Sequence, residues 1–377
     1  MNRITIARLL LVLVVLYPSL AQTPIPKKTP VQKLAKLIEP WPAPEALAAR
    51  RVDAEQRLLF RNSEPVTFTL EADFKTINKD RNPESTRRFP AVLQIAGTDG
   101  SPKSLTINLS GRGHLRRQSS TCSFIPLKLE LPKEQTKGTV LEGPASALKL
   151  VTHCQGSKEH DQFVLKEYAA YQISNLLSPR SFRARLATVT YVDSTTKKPI
   201  ATRYGILLED DDDVARRMTG RVVTVERTMF QDLEEATLAQ MMVFQYMIGN
   251  TDFSIFALHN VVLVQTPDRK LLPTAYDFDL SGLVNAPYAA PAANLGLKTV
   301  LERYYRGPCL SEAQLAPVLA DFRSRKEAML AVLGTIPDLS AASRDQMKSF
   351  LSQFFEMVDR PSAVKRAFSE NCKRPTM

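Results

Sequence analysis

Alternating apolar and polar residues dominate the first half of the chain. Between residues 64 and 208, seven runs alternate in this way and are separated by Gly, Pro, Asn and Asp, a pattern typical of β-strands joined by turns. One run differs, because "DQFVLKEYAAYQISNLL" has the length of a helix, opens on Asp161 and ends at Leu177, before a Ser-Pro pair. The pattern therefore predicts an antiparallel sheet with one helix packed on it in residues 64–209.

The second half, residues 210–377, has mostly helical periodicity. Three segments are long enough for helices, and the first, "DLEEATLAQMMVFQYMIGN", is apolar on nearly all sides, which predicts a buried helix. After it, "NVVLV" and "LLPTA" flank the turn-forming residues "TPDR" and predict a β-hairpin. We therefore expect an α+β chain with two lobes: a β-rich N-terminal lobe with one helix, and a mainly helical C-terminal lobe that contains a β-hairpin.

The start of the chain has the features of a signal peptide. Two Arg precede an apolar run from Leu9 to Leu16, and small residues at Ser19 and Ala21 suit a cleavage site, so residues 1–21 are the predicted signal peptide. An uncleaved anchor is the alternative, but the run is shorter than the roughly 20 residues that span a bilayer. We expect export to the periplasm or the extracellular space, and no transmembrane segment after cleavage. Residues 22–63 are predicted to form a Pro-rich extended arm followed by one helix.

Four cysteines, an even number in a chain with a signal peptide, predict two disulfides. Three connectivities are possible. We favour the one that keeps each pair within one half of the chain, which joins Cys122 to Cys154 and Cys309 to Cys372. None of the four has C-x-x-C spacing, which argues against a zinc site and against a thioredoxin-like redox role.

The net charge of +11 favours an anionic partner. Only 7% of the residues are aromatic, and no basic segment is interleaved with aromatic residues that could stack on bases. Nucleic acid is therefore not the expected partner. No sequence feature indicates a particular oligomeric state.

Candidate chemistry is concentrated around the predicted hairpin. The loop before it contains Asp252 and Asn260, and "YDFDLSG" places Asp277 and Asp279 directly after it. Kinase-type phosphoryl transfer uses an Asp that orients or deprotonates the accepting hydroxyl, and an Asn and a later Asp that hold Mg²⁺. Mg²⁺ prefers such oxygen ligands. Since a hairpin brings its ends together, we expect these side chains to share a site, although an isolated D-x-D is more often a turn cap.

These segments resemble a known family. "NTDFSIFALHNVVLV" followed by "LLPTAYDFDLSG" is similar to the N-x-D…HN…DxD pattern of the CotH kinase-like family, and "GRGHLRRQSSTCSFIPLKLEL" and "YGILLED" fit the same order. The resemblance extends over about residues 64–285. It implies an atypical protein-kinase fold, Mg²⁺ and ATP as cofactors, and transfer of phosphate from the nucleotide to a protein or cell-envelope hydroxyl.

The resemblance also implies roles for the residues around the hairpin. Asp252 would be the catalytic Asp, and Asn260 and Asp277 would hold Mg²⁺. Asp279 would be a second metal ligand or a structural acid.

In the first half, the resemblance implies that Lys128 contacts nucleotide phosphates and that Glu167 pairs with it. Arg112 lies in a Gly-flanked basic loop that could wrap phosphate. The family often has consecutive lysines where this chain has "FIPLK", and Lys149 in "ALKLVTH" is a rival for the Lys role. Solvent-exposed positions on alternating strands are the simpler explanation for both lysines.

Two other functions are compatible with these residues. A catalytically silent kinase-fold module of the cell envelope could use the acids for a structural cation, and this alternative is prompted by the scarcity of nucleotide triphosphate outside the cytoplasm. Metal-dependent hydrolysis of a phosphate ester is also possible, but fewer motifs support it.

Overall fold

A computed structural model of the chain describes residues 37–143 and 145–372. The predicted signal peptide and the extended arm up to residue 36 lie outside the described residues. Within the segment 22–63, helix α1 (Pro44–Glu55) is followed by a single helical turn at Leu58–Phe60. Arg57 donates to Asp213 at 2.9 Å and so fixes the end of α1 to the second half of the chain.

Seven strands form a closed barrel in the order β1-β2-β3-β4-β5-β7-β6. All neighbours are antiparallel except β1 and β6, which pair in parallel, with Val66 opposite Ala187. The strands are β1 (Val66–Ala72), β2 (Phe89–Ala96), β3 (Pro102–Gly111), β4 (Leu127–Glu130), β5 (Ala147–Val151), β6 (Ala184–Asp193) and β7 (Pro199–Leu208). Two short helices, Phe74–Ile77 and Lys133–Thr136, lie in the connections.

Apolar residues at every second position fill the barrel. In β1, Phe68 and Leu70 are buried, and they share one cluster with Leu93 of β2 and Ile107 of β3. Since alternate residues of a strand point to opposite faces, a strict alternation places one apolar row inside. Because the first and last strands of this order, β1 and β6, pair with each other, every strand of the barrel has two neighbours and the sheet has no edge strand.

The second half contains a small sheet and most of the helices. Strands β8 (Arg221–Val223), β9 (Val261–Gln265) and β10 (Leu271–Ala275) form an antiparallel sheet in the order β10-β9-β8. The longer helices of the chain are α2 (Asp161–Leu177), α3 (Asp211–Arg217), α4 (Glu235–Met247), α5 (Glu312–Ser324), α6 (Lys326–Thr335) and α7 (Ala341–Val358), and a short helix covers Pro361–Lys365.

The predicted two-lobed kinase-like fold is wrong. The structure is a mixed α+β arrangement in which the predicted antiparallel sheet of the β-rich lobe is a closed barrel of seven strands, with one parallel pair. Helix α2 packs on the outer side of β6 and β7 and also on α6 and α7. Its apolar residues, such as Leu165, therefore belong to the same core as Phe244 of α4 and Phe354 of α7. Local periodicity could not reveal this, because both the barrel closure and the shared core depend on pairings between distant segments.

Two disulfides tie down loops near the ends of these elements. Cys122 is bonded to Cys154, and Cys309 to Cys372, which is the predicted pairing. Within the described part of the chain, none of the helices combines the length and the apolar character that a membrane crossing requires.

Candidate functional site

The hairpin β9–β10 brings two loop ends together. Ala275 pairs with Val261 at the end of the ladder, and the Tyr276 amide donates to the Asn260 carbonyl at 3.1 Å. Asn260 has φ 53° and Asp277 has φ 65°, in the left-handed region. Asn and Asp adopt this region more readily than other non-Gly residues. Both residues thus leave the hairpin ladder at the same end, in a conformation that Asn and Asp tolerate.

Asn260 is held against Asp252. Its Nδ2 donates to the Asp252 Oδ2 at 2.9 Å and to the Asp252 carbonyl at 2.8 Å. The Asp252 amide in turn donates to the Asn250 Oδ1 at 2.9 Å. Both partners of the Asn260 amide can only accept, so the orientation of this group is fixed. Its Oδ1 has no hydrogen-bond partner among residues 37–143 and 145–372 and is left available to a ligand.

His259 is a member of the site that the sequence analysis did not single out. Its Nε2 lies 3.0 Å from the Asp252 Oδ1. This hydrogen bond, supported by the charges of Asp252 and Asp277 and opposed by burial, raises the pKa of His259. Asp277 is therefore close enough to His259 to interact with it electrostatically. The sequence signal that could have identified His259 is its position directly before Asn260 in "FALHN".

Asp277 is positioned by helix α2. The Tyr171 hydroxyl on that helix accepts from the Asp277 amide at 2.8 Å. The next residue, Phe278, is buried, and its ring centre lies 4.7 Å from that of Tyr171 and 5.4 Å from that of Phe244. Phe278 thus anchors the Asp-Phe-Asp turn in the core, while the Asp277 side chain keeps 26% of its surface exposed.

Asp279 is the buried acid of the pair. The Tyr288 hydroxyl donates to its Oδ2 at 3.2 Å, and the Arg116 Nη1 lies 3.9 Å from the same oxygen. Burial, followed by the charge of Asp277, raises the pKa of Asp279 to about 7, although Arg116 and Tyr288 act in the opposite direction. Asp279 is therefore suited to hold a proton, and Asp277 is the more accessible carboxylate.

Glu167 of α2 lies in the same acidic cluster. It is 1% exposed, and its Oε1 has no hydrogen-bond partner in the described part of the chain. Burial, and then the charges of Asp279 and Asp277, raise its pKa well above the ordinary value, while Arg116 and Arg112 oppose this shift. The cations that act on Glu167 are thus two arginines of the loop after β3.

Two arginines face the acids at a distance longer than a hydrogen bond. Arg112 Nη1 lies 3.8 Å from the Asp277 Oδ2, and Arg116 Nη1 lies 3.9 Å from Asp279. The Nε atoms of both arginines are buried without a hydrogen-bond partner among the described residues. Burial lowers the pKa of Arg116, but the charges of Tyr288, Asp279 and Glu167 raise it. The net effect is a raised pKa. These donors are available to an anion.

The two candidate lysines are cross-strand neighbours that lie in different surroundings. Lys128 and Lys149 are opposite each other on β4 and β5. Lys128 is exposed, and the structure gives it no ion pair with Glu167 or with any other described residue. Lys149 Nζ lies 2.5 Å from the Asp211 Oδ1 and 4.4 Å from the ring centre of Tyr276, the residue before Asp277. Lys149 is thus the lysine adjacent to the Asp-Phe-Asp turn.

A metal site made only of acids, His or Cys is not found. In the two described ranges, no group of three or more such side chains is arranged to hold a metal ion. The candidate set instead combines the Asn260 Oδ1 with the Asp277 carboxylate. This mixed oxygen set fits Mg²⁺, which is commonly held by one or two carboxylates and completed by water and phosphate.

The comparisons with known proteins were made against family models, curated proteins and solved structures. No protein-family model matches the chain, and no curated protein does. Among solved structures, the crystal structure of the Helicobacter pylori proinflammatory kinase CtkA is similar, with a TM-score of 0.33 and 11% identity, over 61% of this chain and 86% of that chain. A likeness this distant does not establish the fold or the activity of the chain studied.

Proposed function

We propose that this chain is an exported phosphotransferase that uses Mg²⁺ and ATP to phosphorylate a hydroxyl of a protein or of a cell-envelope molecule. The observation that carries the proposal is the Asn260 amide. Its nitrogen donates to the carboxylate and the carbonyl of Asp252, and its oxygen has no hydrogen-bond partner among the described residues. The Asn260 backbone carbonyl accepts from the amide of Tyr276, the residue before Asp277. The carboxylate of Asp252, the proposed base, and Asn260, the proposed metal ligand, are thereby held in a fixed position relative to each other.

Asp252 is the proposed base. Asn260 and His259 each occupy one of its oxygens, but a carboxylate has about four acceptor positions, so it can still accept from a hydroxyl. The hydroxyl oxygen of the acceptor forms the new bond to the γ-phosphorus, the bond from that phosphorus to the β–γ bridging oxygen breaks, and the proton passes to Asp252. ADP is the leaving group.

Asn260 and Asp277 would hold the magnesium, and Asp279 is the second candidate ligand. When bound, Mg²⁺ supplies neutralisation of the nucleotide phosphates. Asp279 would bind the ion only in its ionised form, and its pKa is raised to about 7 by burial and by the charge of Asp277. The Tyr171 hydroxyl holds the backbone of Asp277 in place for this role.

The Nε atoms of Arg112 and Arg116, which have no hydrogen-bond partner in the described part of the chain, support binding of the phosphates. Buried donors without a partner cost free energy, and an anion at this edge would satisfy them. Lys149 is proposed as a further phosphate contact, because it already lies beside Tyr276. The phosphate contact of Lys128 and its pairing with Glu167 stay predictions from the resemblance.

The two disulfides support the proposed export, because such bonds form and persist mainly in oxidising compartments. Net positive charge favours an acidic or phosphorylated partner.

Transfer of radioactive phosphate from γ-labelled ATP tests the function. With Mg²⁺ and a mixed protein extract from the same cell envelope, the purified chain should label proteins, and Asp252→Asn should reduce labelling by at least about a hundredfold, the usual range for loss of a general base. Asp268→Asn is the matched control, because Asp268 is exposed at the tip of the same hairpin. Equal labelling by the chain and by Asp252→Asn would contradict the proposal.

A further inference from the structure

A cavity of about 200 Å³ is formed by the loop that follows Asp252, the proposed base. Its wall includes Phe253, the residue that follows Asp252, and also Phe230, Ile255 and Phe256. Pockets for drug-sized ligands usually measure about 300 to 1,000 Å³, so this one is suited to a single large side chain. Because two of its lining residues, Phe253 and Arg306, contact the backbone on either side of Asp252 or follow it in sequence, the cavity is a candidate for binding the acceptor.

The cavity is built into the structure by the folding of the loop. Ser254 and His259 exchange two backbone hydrogen bonds of 2.9 Å, which closes the loop from Asp252 to Asn260 on itself. The Arg227 amide donates to the Phe256 carbonyl at 2.7 Å and attaches the loop to the neighbouring segment. Phe253 and Ile255 are each 4% exposed and form the fixed inner wall.

Two exposed apolar side chains stand at the cavity. Met229 is 41% exposed and Phe256 is 53% exposed, and both line it. A single exposed apolar side chain is common on protein surfaces and needs no explanation. Two of them at the mouth of an apolar cavity form a patch, which indicates a binding site. The apolar walls favour an apolar group over a sugar ring.

Arg306 gives the cavity a charged side. Its Nη1 donates to the carbonyls of Thr251 and Phe253, on either side of Asp252, and its guanidinium lies 5.3 Å from the centre of the Phe253 ring. No other hydrogen bond or ion pair of this guanidinium is formed within the described ranges, so its remaining N–H groups are available. A partner with an acidic group would complement them.

We propose that this cavity binds the acceptor as a polypeptide, with a large apolar side chain one to three residues from the phosphorylated hydroxyl and an acidic residue nearby. The inference rests on the proposed function, since it names the acceptor for the same site. An extended peptide advances about 3.3 Å per residue, so a side chain at this separation can reach a wall that begins at the residue after Asp252. The cavity takes the apolar side chain, and Arg306 takes the acidic one.

Two fluorescein-labelled heptapeptides test the proposal by fluorescence anisotropy, without any need for phosphate transfer. Both contain one Ser and one Glu, and they differ only two positions after the Ser, where one has Phe and the other Gly. The purified chain should bind the Phe peptide at least about tenfold more tightly, as expected for burial of a large apolar side chain. Phe256→Ala and Met229→Ala should remove this preference. Equal affinity for both peptides would overturn the proposal.

Ile200→Ala is the control variant, because Ile200 is 51% exposed on barrel strand β7 and does not line the cavity. It should leave the preference unchanged, and a similar loss in this variant would overturn the proposal. A dimer that Phe256→Ala dissociates in sedimentation would assign the cavity to a second copy of the chain and would equally overturn it.

Phosphate transfer separates this inference from the proposed function. If both peptides are phosphorylated equally well, the cavity does not select the acceptor, although the chain is a phosphotransferase. If binding depends on Phe and on the cavity but neither peptide is phosphorylated, the binding site stands and the proposed activity fails.

Discussion

At the scale of single residues, the site is defined by buried polar atoms without partners. The Nε atoms of Arg112 and Arg116 and the Oε1 of Glu167 are all buried and unpaired among the residues that the structure describes. Each such atom costs about 1–3 kcal/mol of folding free energy. Near Asp277 and Asp279, an anion could accept from the two arginine Nε atoms, whereas the Glu167 oxygen would need a donor such as water.

His153 is a buried residue whose titration we expect to control stability in acid. Burial, and then the charges of Arg203 and Arg116, lower the pKa of His153 from 6.5 to about 3. The folded state therefore binds fewer protons than the unfolded chain between these values. The contribution of His153 to stability is complete above pH 6.5 and is lost as the pH falls toward 3.

We predict that His153→Phe makes the protein less sensitive to acid. Its ring packs 4.5 Å from that of Phe124, and Phe can keep this contact without a proton to bind. The decrease in unfolding free energy between pH 7 and pH 4, measured with urea, should be smaller in the variant by up to about 3 kcal/mol. His114→Phe, at an exposed loop position, is the control. An unchanged decrease in His153→Phe would show that His153 does not titrate as described.

At the scale of elements, the Asp-Phe-Asp turn fits closely against the loop after α4. The Gly282 amide donates to the Gly249 carbonyl at 3.1 Å. A Cβ on Gly282 would lie 2.3 Å from the Val300 carbonyl oxygen and 2.7 Å from Phe350 Cζ. No side chain fits there, so Gly is required where these two segments meet.

Gly282→Ala should therefore destabilise the protein by about 1–3 kcal/mol, the usual cost of overpacking. Gly334→Ala is the matched control, because nothing lies within 4 Å of a Cβ at this position of α6. It should be neutral or stabilising by up to about 1 kcal/mol. Thermal melts of the two variants measure the contrast, and equal melting temperatures would refute the described packing.

Several elements could be predicted from local pattern, and others could not. Strands with strict alternation and helix α2 have signals within their own residues. Strand β8 has only three residues, Arg221–Val223, which is too short for a periodic signal. Lys128 and Lys149 have the same alternation, and only the position of Asp211, on a distant helix, separates them. The motif made Asp252, Asn260 and Asp277 candidates, and their roles stay predictions. No motif pointed to Tyr171 or Tyr288, whose contacts with Asp277 and Asp279 come from tertiary packing.

At the scale of the whole molecule, α2 joins the barrel to the helices of the second half. Lys166 on this helix is buried, and its Nζ donates to the Val284 carbonyl at 3.1 Å and to the Gln346 Oε1 at 2.8 Å. Gln162 donates to the Asp338 carbonyl at 2.9 Å. Burial lowers the pKa of Lys166 to about 8. The contacts of α2 depend on both halves, and the predicted boundary near residue 209 stays a prediction.

A fragment of residues 64–209 should therefore fail to fold as a stable unit. Without α6 and α7, one side of α2 would expose apolar residues such as Leu165 and Lys166 would lose both acceptors. We expect the fragment to bind a hydrophobic dye and to lack a cooperative thermal transition, whereas the full chain melts cooperatively. A cooperative melt of the fragment would instead establish it as an independent domain.

The central claim is that Asn260 and Asp277 form a site that binds Mg²⁺ together with a nucleotide. Isothermal titration of the purified chain with a non-hydrolysable ATP analogue, with and without Mg²⁺, tests this most directly. We predict Mg²⁺-dependent binding that Asp277→Asn weakens by at least about tenfold, because a charged ligand to the ion is lost. Asp268→Asn, at the exposed tip of the same hairpin, should bind like the unmodified chain. Binding that does not depend on Mg²⁺, or that is equal in Asp277→Asn and Asp268→Asn, would contradict the claim.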